Sequence, residues 1–273
     1  MLEQTFLFLP GINDKIEQRL WCFGIRSWDD LLAAEHIPSI SKERLLFWKH
    51  RLRQAQQSYE QENGVMMFTK LLGPRHTWRL YNEIMSNPRF IDIETTEFYG
   101  DITVVGVSDG DFYQAFVKGR NLNRQSLQHA FKDATCIITF NGSSFDLPII
   151  ERSFPGIIPL VPHLDLRHIC AQAKLRGGLK RIEQHLMISR AAAIRDKNGT
   201  DAIMLWHQHV LGDNNALQEL VDYNAADVLN LMPLAELVIS ALWKNVRHKE
   251  PLPFTPILLS VLEEQQDFSR PPS

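Results

Sequence analysis

Two periodicities divide the chain. Through the first 85 residues apolar side chains recur about every 3.6 positions: KIEQRLWCFG (15 to 24), SWDDLLAAE (27 to 35) and SKERLLFWKHRLRQAQQSYEQEN (41 to 63) each show one apolar face. Ser27 stands ahead of acids in a first turn, an N-cap pattern, and Pro10-Gly11, Gly24-Ile25 and Ile37-Pro38 mark turns between the helices. Small helices stacked through Leu20, Trp21, Phe23, Trp28, Leu31, Leu32 and Phe47 are the expectation for residues 1–85, with LYNEIMSN (80 to 87) a last helical run before Pro88.

From residue 89 the pattern becomes strand alternating with helix. FIDIET (90 to 95), ITVVGVSD (102 to 109) and DFYQAFVK (111 to 118) are successive strands, the last two joined by a tight Asp-Gly turn. RQSLQHAFKD predicts a helix, CIITFNG (136 to 142) a strand, and SFDLPIIERSF (144 to 154) a helix with Pro148 in its first turn. HLDLRHICAQA (163 to 173) predicts a short strand and a helix. Further helices are expected in GGLKRIEQHLMI (177 to 188), IMLWHQHVL (203 to 211) and residues 217–243, the last bent near Pro233. A hairpin, further strands and covering helices over 86–248 predict a mixed α/β sandwich, and the Pro-rich stretch 249–273 a docked or partly disordered extension.

Composition narrows the class. A chain of 273 residues with 44% hydrophobic and 22% charged positions is ordinary for a globular protein, and disorder and membrane classes fit poorly. No apolar run approaches the roughly 20 residues that span a bilayer, and the opening MLEQTFLFLPG carries an acid where a signal peptide carries positive charge. A soluble, cytoplasmic protein without membrane association is expected. Cys22, Cys136 and Cys170 are odd in number and widely spaced, arguing against a disulfide framework or cysteine zinc site and for small buried side chains. The net charge of −3 does not advertise nucleic acid binding, although local patches can hide in it.

The candidate chemistry is carboxylate. Side chains on a strand alternate, so Asp92 and Glu94 share a face opposite Ile91 and Ile93. Two like charges so close cost free energy unless a cation or a solvated cleft relieves them. Asp146 follows the strand ITFNG at the start of a helix, where open sheets place ligands. In DYNAADVLNL (222 to 231), Tyr223 and Asp227 lie four apart on one helix face.

In this order, DxE on a first strand, an FNGxxFDxP-like segment and YxxxD on a helix resemble the YprB-type ribonuclease H-like domain family, related to the DEDDy 3′ to 5′ exonucleases, over roughly residues 88–240. The stretch around PGI and EQRLWCFGIRSWDDLL resembles the helical region preceding that domain, and LDLR with GGLKRIEQHL the segment joining the later motifs. The resemblance implies a ribonuclease H-like fold, a central mixed sheet flanked by helices, and a two-metal site holding Mg²⁺ or Mn²⁺. By the same resemblance, Asp92 would bridge both ions. Glu94 and Asp227 would complete the site of the ion that activates water, Asp146 would hold the second ion mostly through water, and Tyr223 would orient the nucleophile. Oxygen ligands without thiolate agree with those metals.

Support for a polyanionic partner is local. Residues 161–200 hold eight basic against three acidic side chains, among them Arg176, Lys180 and Arg181, and Gly177-Gly178 could offer backbone N–H groups to an anion. Lys42, Arg44, Lys49, Arg51 and Arg53 could add a rim, although nearby acids nearly balance them. Asn141 reads equally as a strand-end turn or the side of a substrate passage, and Phe145 as core or base-stacking platform. His163, His168, His207 and His209 read as structural or surface residues. The expected activity is exonucleolytic, from the 3′ end of single-stranded DNA or RNA. An endonuclease using the same carboxylates and a non-catalytic nucleic acid-binding or assembly protein are the alternatives, and a protein partner of the N-terminal helices is left open.

Overall fold

β1 (Pro88–Thr95) carries Ile91 and Ile93 on one face and Asp92 and Glu94 on the other, so one face can enter a core while the other needs water or a counter-charge. In the computed structural model it is the middle strand of a five-stranded sheet. The structure describes residues 1–60, 64–191, 197 and 199–249. They belong to two compact units, one of Met1–Met85 with Leu242–Pro251, the other containing Ser86–Ala241. Most of the Pro-rich stretch expected as an extension lies outside the described residues.

The first unit contains α1 (Asp14–Cys22), α2 (Trp28–Ala33), α3 (Lys42–Tyr59), α4 (Gly64–His76) and α5 (Tyr81–Ile84). Ser27 and Asp30 form the capping box that the Ser-acid pattern predicts. α4 has no counterpart among the expected helices; it breaks at Gly73, whose φ of 66° is left-handed. The stacking set needs correction on α3: Phe47 is exposed and Trp48 fills the core, with its indole N–H donating to the Pro10 carbonyl. Phe23 is likewise exposed. Glu17, buried in α1, accepts from the Phe6 amide and the buried Arg79 guanidinium, both at 2.7 Å, so neither charge is left unpaired.

In the second unit β1 pairs antiparallel with β2 (Ile102–Ser108), which pairs antiparallel with β3 (Tyr113–Val117). After α6 (Arg124–Ala130), β4 (Cys136–Thr139) lies parallel to the start of β1. α7 (Asp146–Ser153) follows, and β5 (His163–Asp165) closes the other edge parallel to β4. The order β3-β2-β1-β4-β5 is a mixed sheet flanked by helices, the ribonuclease H-like architecture. Next come α8 (Leu166–Gln172), α9 (Leu179–His185), α10 (Gly199–Val210), α11 (Asn214–Leu229) and α12 (Leu231–His248).

Two cores sandwich the sheet. Ile91 and Ile93 pack with Leu127, Phe131, Ile149 and Ile150, while Val104 and Val117 pack with Leu205, Trp206, Leu220 and Tyr223 on the opposite side. The helix break expected near Pro233 falls at Asn230, because a proline removes a donor and crowds the preceding turn, leaving Pro233 in the first turn of α12. The apolar-run reading also changes: Asn214–His248 is long and apolar enough by length and composition to cross a membrane, yet half of its apolar window is buried within the fold, as in a core helix. Cys136 and Cys170 are buried as expected; Cys22 is exposed.

Candidate active site

The acidic face of β1 opens toward α11. Asp92 and Glu94 are opposite Gly106 and Val104 of β2. A Cβ on Gly106 would lie 1.9 Å from Asn224 Oδ1, so only glycine leaves room for Asn224 to reach β1 from α11. One turn further along α11 stands Asp227. Asp92, Glu94 and Asp227 each offer a carboxylate oxygen within 4.8 Å of the other two.

Asp146 joins from the other edge. β1 and β4 are in register only as far as Phe90, and beyond that point the Ile93 amide donates to Asp146 Oδ1 at 3.0 Å. The carboxylate, at the first position of α7, is buried beside the group and is not one of the three oxygens that converge. Tyr223 is buried one turn before Asp227, with the Lys180 ammonium 4.2 Å from its ring centroid.

Electrostatics match the geometry. Burial, then the neighbouring charges of Asp146, Asp227 and Glu94, pushes Asp92 well above the usual carboxylate range. Burial and Asp227 do the same to Glu94. Asp146 is pushed up to about 7 chiefly by burial, against the Ile93 hydrogen bond. Burial raises Asp227 too, although Arg190 opposes it. A cluster that resists its own ionisation has a deficit of positive charge.

Residues 89–239 match the family model of the RNase H superfamily. The chain belongs to that superfamily. No curated protein matches it significantly. A solved structure described as the apo form of the nuclease is similar at 20% identity, covering 60% of this chain and 76% of that one with a TM-score of 0.45. In this RNase H superfamily member the carboxylates sit on the middle strand and a covering helix, with all three converging oxygens supplied by carboxylates. Hard oxygen donors of net negative charge could hold a metal cation, and the raised pKa values show what such an ion would relieve.

Several residues of this site escaped the sequence patterns. Asn224 is fully buried; its amide donates to Asp92 Oδ2 at 2.9 Å and reaches Glu94 Oε1 at 3.5 Å, while its oxygen accepts from the Tyr113 hydroxyl at 2.8 Å. Arg190 forms ion pairs with both Asp227 and Glu183. Burial alone would lower its pKa, yet the Glu183 bonds and the Asp227 charge raise it, so the guanidinium stays charged beside Asp227. Asp165 holds the loop after β4 by accepting from the amides of Asn141 at 2.8 Å and Ser143 at 3.1 Å and from the Ser143 hydroxyl. The signals for this set were the local density of basic residues around Arg190 and the LDLR and GGLKRIEQHL segments that hold Asp165 and Glu183; Asn224 had none.

The expected nucleic acid contacts fall into two groups. Arg176 and Arg181 are exposed, and Lys180 turns inward, its buried ammonium without a hydrogen-bond partner among the described residues. Asn141, at φ 70°, has its side-chain oxygen engaged by Arg167 at 2.6 Å, and Phe145 is half-buried, packed against the core cluster that includes Ile149 and Leu127. The basic stretch is partly spent internally: Arg190 pairs with acids and Lys197 with Glu219 at 2.8 Å, while Arg195 lies outside the described residues. α9 begins behind Gly177 and Gly178 as expected, but it is a seven-residue helix.

Proposed function

We propose that this protein is a metal-dependent nuclease of the DEDDy type, acting as a 3′ to 5′ exonuclease on single-stranded DNA or RNA. The observation that carries the reading is the convergence of Asp92, Glu94 and Asp227 within 4.8 Å on a superfamily fold whose sheet is built around them. Bound divalent ions, two in the proposed mechanism, would supply an activated water and neutralise the charge growing on the phosphoryl and leaving oxygens. Asp92, Glu94 and Asp227 would hold them, with Asp146 contributing from the α7 side.

The chain's own groups supply the rest. Burial holds the Tyr223 phenol far above its ordinary pKa, so its hydroxyl stays protonated and can orient a water by hydrogen bonding. The Lys180 ammonium lies over the Tyr223 ring with no hydrogen-bond partner among the described residues, and its charge would favour a phosphate held at the carboxylates. Arg190 supplies fixed positive charge to Asp227 and is locked by Glu183. Asn224 presents the Asp92 and Glu94 carboxylates from behind.

The test uses end-labelled linear and circular single- and double-stranded DNA and RNA with Mg²⁺ or Mn²⁺. Wild-type protein is expected to shorten linear single strands from the 3′ end and to spare circles; Asp92→Asn and Asp227→Asn are expected to lose hydrolysis while keeping the wild-type circular dichroism spectrum. Undiminished cleavage by either variant removes the proposed site, and cleavage of circles replaces exonuclease with endonuclease.

A further inference from the structure

Two buried cations beside the carboxylates have unused donors. The Arg190 side chain is only 4% exposed. A guanidinium has five N–H donors. Nε and Nη2 of Arg190 face the two Glu183 oxygens, and Nη2 also pairs with Asp227. Nη1 is buried and has no hydrogen-bond partner among the described residues. The Lys180 Nζ is buried and unpartnered in the same sense, lying 4.2 Å from the Tyr223 ring centroid.

Local folding brings the two together. Lys180 and Glu183 are three apart on α9 and therefore share a face. After α9 the chain reverses at Met187, whose φ of 56° is left-handed. The Ile188 amide donates to the Glu183 carbonyl at 2.9 Å and the Met187 amide to the Gln184 carbonyl at 3.2 Å, the pairing of a Schellman turn. That reversal returns Arg190 to α9, where the buried Glu183 carboxylate holds it.

A cavity of about 260 Å³ lies between them, with Lys180, Gln184, Ser189 and Arg190 in its lining. At about 30 Å³ for each water of the liquid, it has room for a phosphate group and several waters. Asp92, Glu94, Tyr223 and Asp227 do not line it, so it is beside the converging carboxylates and distinct from them. A buried donor without a partner costs stability, and two cationic ones in a single cavity call for an anion. Glu183 does not meet that need, because Arg190 takes both its oxygens. Water would satisfy the hydrogen bonds and leave the charge; a phosphate oxygen answers both, and guanidinium and ammonium are the side-chain groups suited to it.

We propose that Lys180 and Arg190 Nη1 form a phosphate subsite for a second phosphodiester of the bound strand, other than the one lying at Asp92, Glu94 and Asp227. Nη2 of the same guanidinium touches Asp227, so the two phosphate positions are close enough to belong to one strand. The proposal rests on the nuclease reading for the first phosphate and adds what grips the strand beyond it. A phosphate contact carries no base information, so this grip is indifferent to sequence.

The test neutralises one phosphate at a time. Single-stranded DNA oligonucleotides with one uncharged methylphosphonate linkage, moved stepwise from the 3′ end, are titrated with the full chain in Ca²⁺. In wild type one linkage is expected to weaken binding on the order of tenfold when neutralised, and in Lys180→Met that same linkage is expected to have no effect while the others act as in wild type. On the unmodified strand Lys180→Met should bind about tenfold more weakly, with a salt slope smaller by about one and a wild-type circular dichroism spectrum, and Lys180→Arg should restore both signals. Wild-type affinity in Lys180→Met, or linkage effects that are the same in both proteins at every position, overturns the proposal. Competition by millimolar inorganic phosphate that Lys180→Met abolishes, with no linkage responding to the substitution, overturns it in favour of a free anion. Hydrolysis in Mn²⁺ is scored separately. A Lys180-dependent linkage without cleavage overturns the nuclease reading and keeps the subsite; cleavage with no such linkage does the reverse. A Lys180-dependent linkage that is also the one cut first reduces the two phosphates to one and overturns the proposal.

Discussion

Asn224 shows what a single residue contributes here. Its two amide functions face opposite partners, donating to Asp92 and Glu94 and accepting from Tyr113, so a neutral side chain fixes two like-charged ones without adding charge. Residues that orient metal ligands in this way typically matter by a factor of about 10 to 100 in affinity or activity. Asn224→Ala is therefore expected to weaken Mn²⁺ binding at least about tenfold by isothermal titration, with hydrolysis falling in step; unchanged affinity would show that β1 orients its carboxylates unaided. The sequence reading named Tyr223 and Asp227 from their four-residue spacing, and Asn224 lies between them. Nothing in a linear pattern distinguishes an asparagine aimed at a carboxylate from one in water, because the hydrogen bonds run across 130 residues or more.

At the scale of elements, β1, β2 and α11 make the floor together. The antiparallel register sets Gly106 opposite Asp92, and the missing side chain at Gly106 is the gap into which Asn224 inserts. Gly106→Ala would put a methyl group where Asn224 Oδ1 and a Val228 methyl stand, at 1.9 and 2.8 Å. Overpacking of that kind costs about 1 to 3 kcal/mol. Urea unfolding should show a loss of that size, and a variant as stable as wild type would mean that α11 can move away freely. Periodicity placed all five strands and most helices of the second unit to within a few residues, since the strands are short and bounded by turns and β1, β2 and β4 are rich in β-branched residues. It missed α4 and chose Phe47 over its neighbour Trp48: a one-position shift turns a helix by 100°, and only the partner surface says which of two adjacent aromatics is inside.

For the whole molecule, the carboxylate group stores repulsion that folding must overcome. A ligand that binds only the folded state stabilises it by about 2.7 kcal/mol at a hundred times its dissociation constant. Millimolar Mn²⁺ is accordingly expected to raise the melting temperature by several degrees. Asp92→Asn should melt higher than wild type in EDTA, because one of the crowded charges is gone, and should lose the Mn²⁺ shift; a wild-type melting temperature indifferent to Mn²⁺ would count against the ion site. Local chemistry determined much of this protein. The strand-helix order, the shared face of Asp92 and Glu94, and the helical pairing of Tyr223 with Asp227 follow from backbone periods of two and 3.6, which need no knowledge of distant residues. Tertiary structure alone decided that Asp227 meets those two acids and that Asn224 and Arg190 hold them. Each depends on which surfaces the sheet and α11 bring face to face, a property of packing that no spacing along the chain encodes.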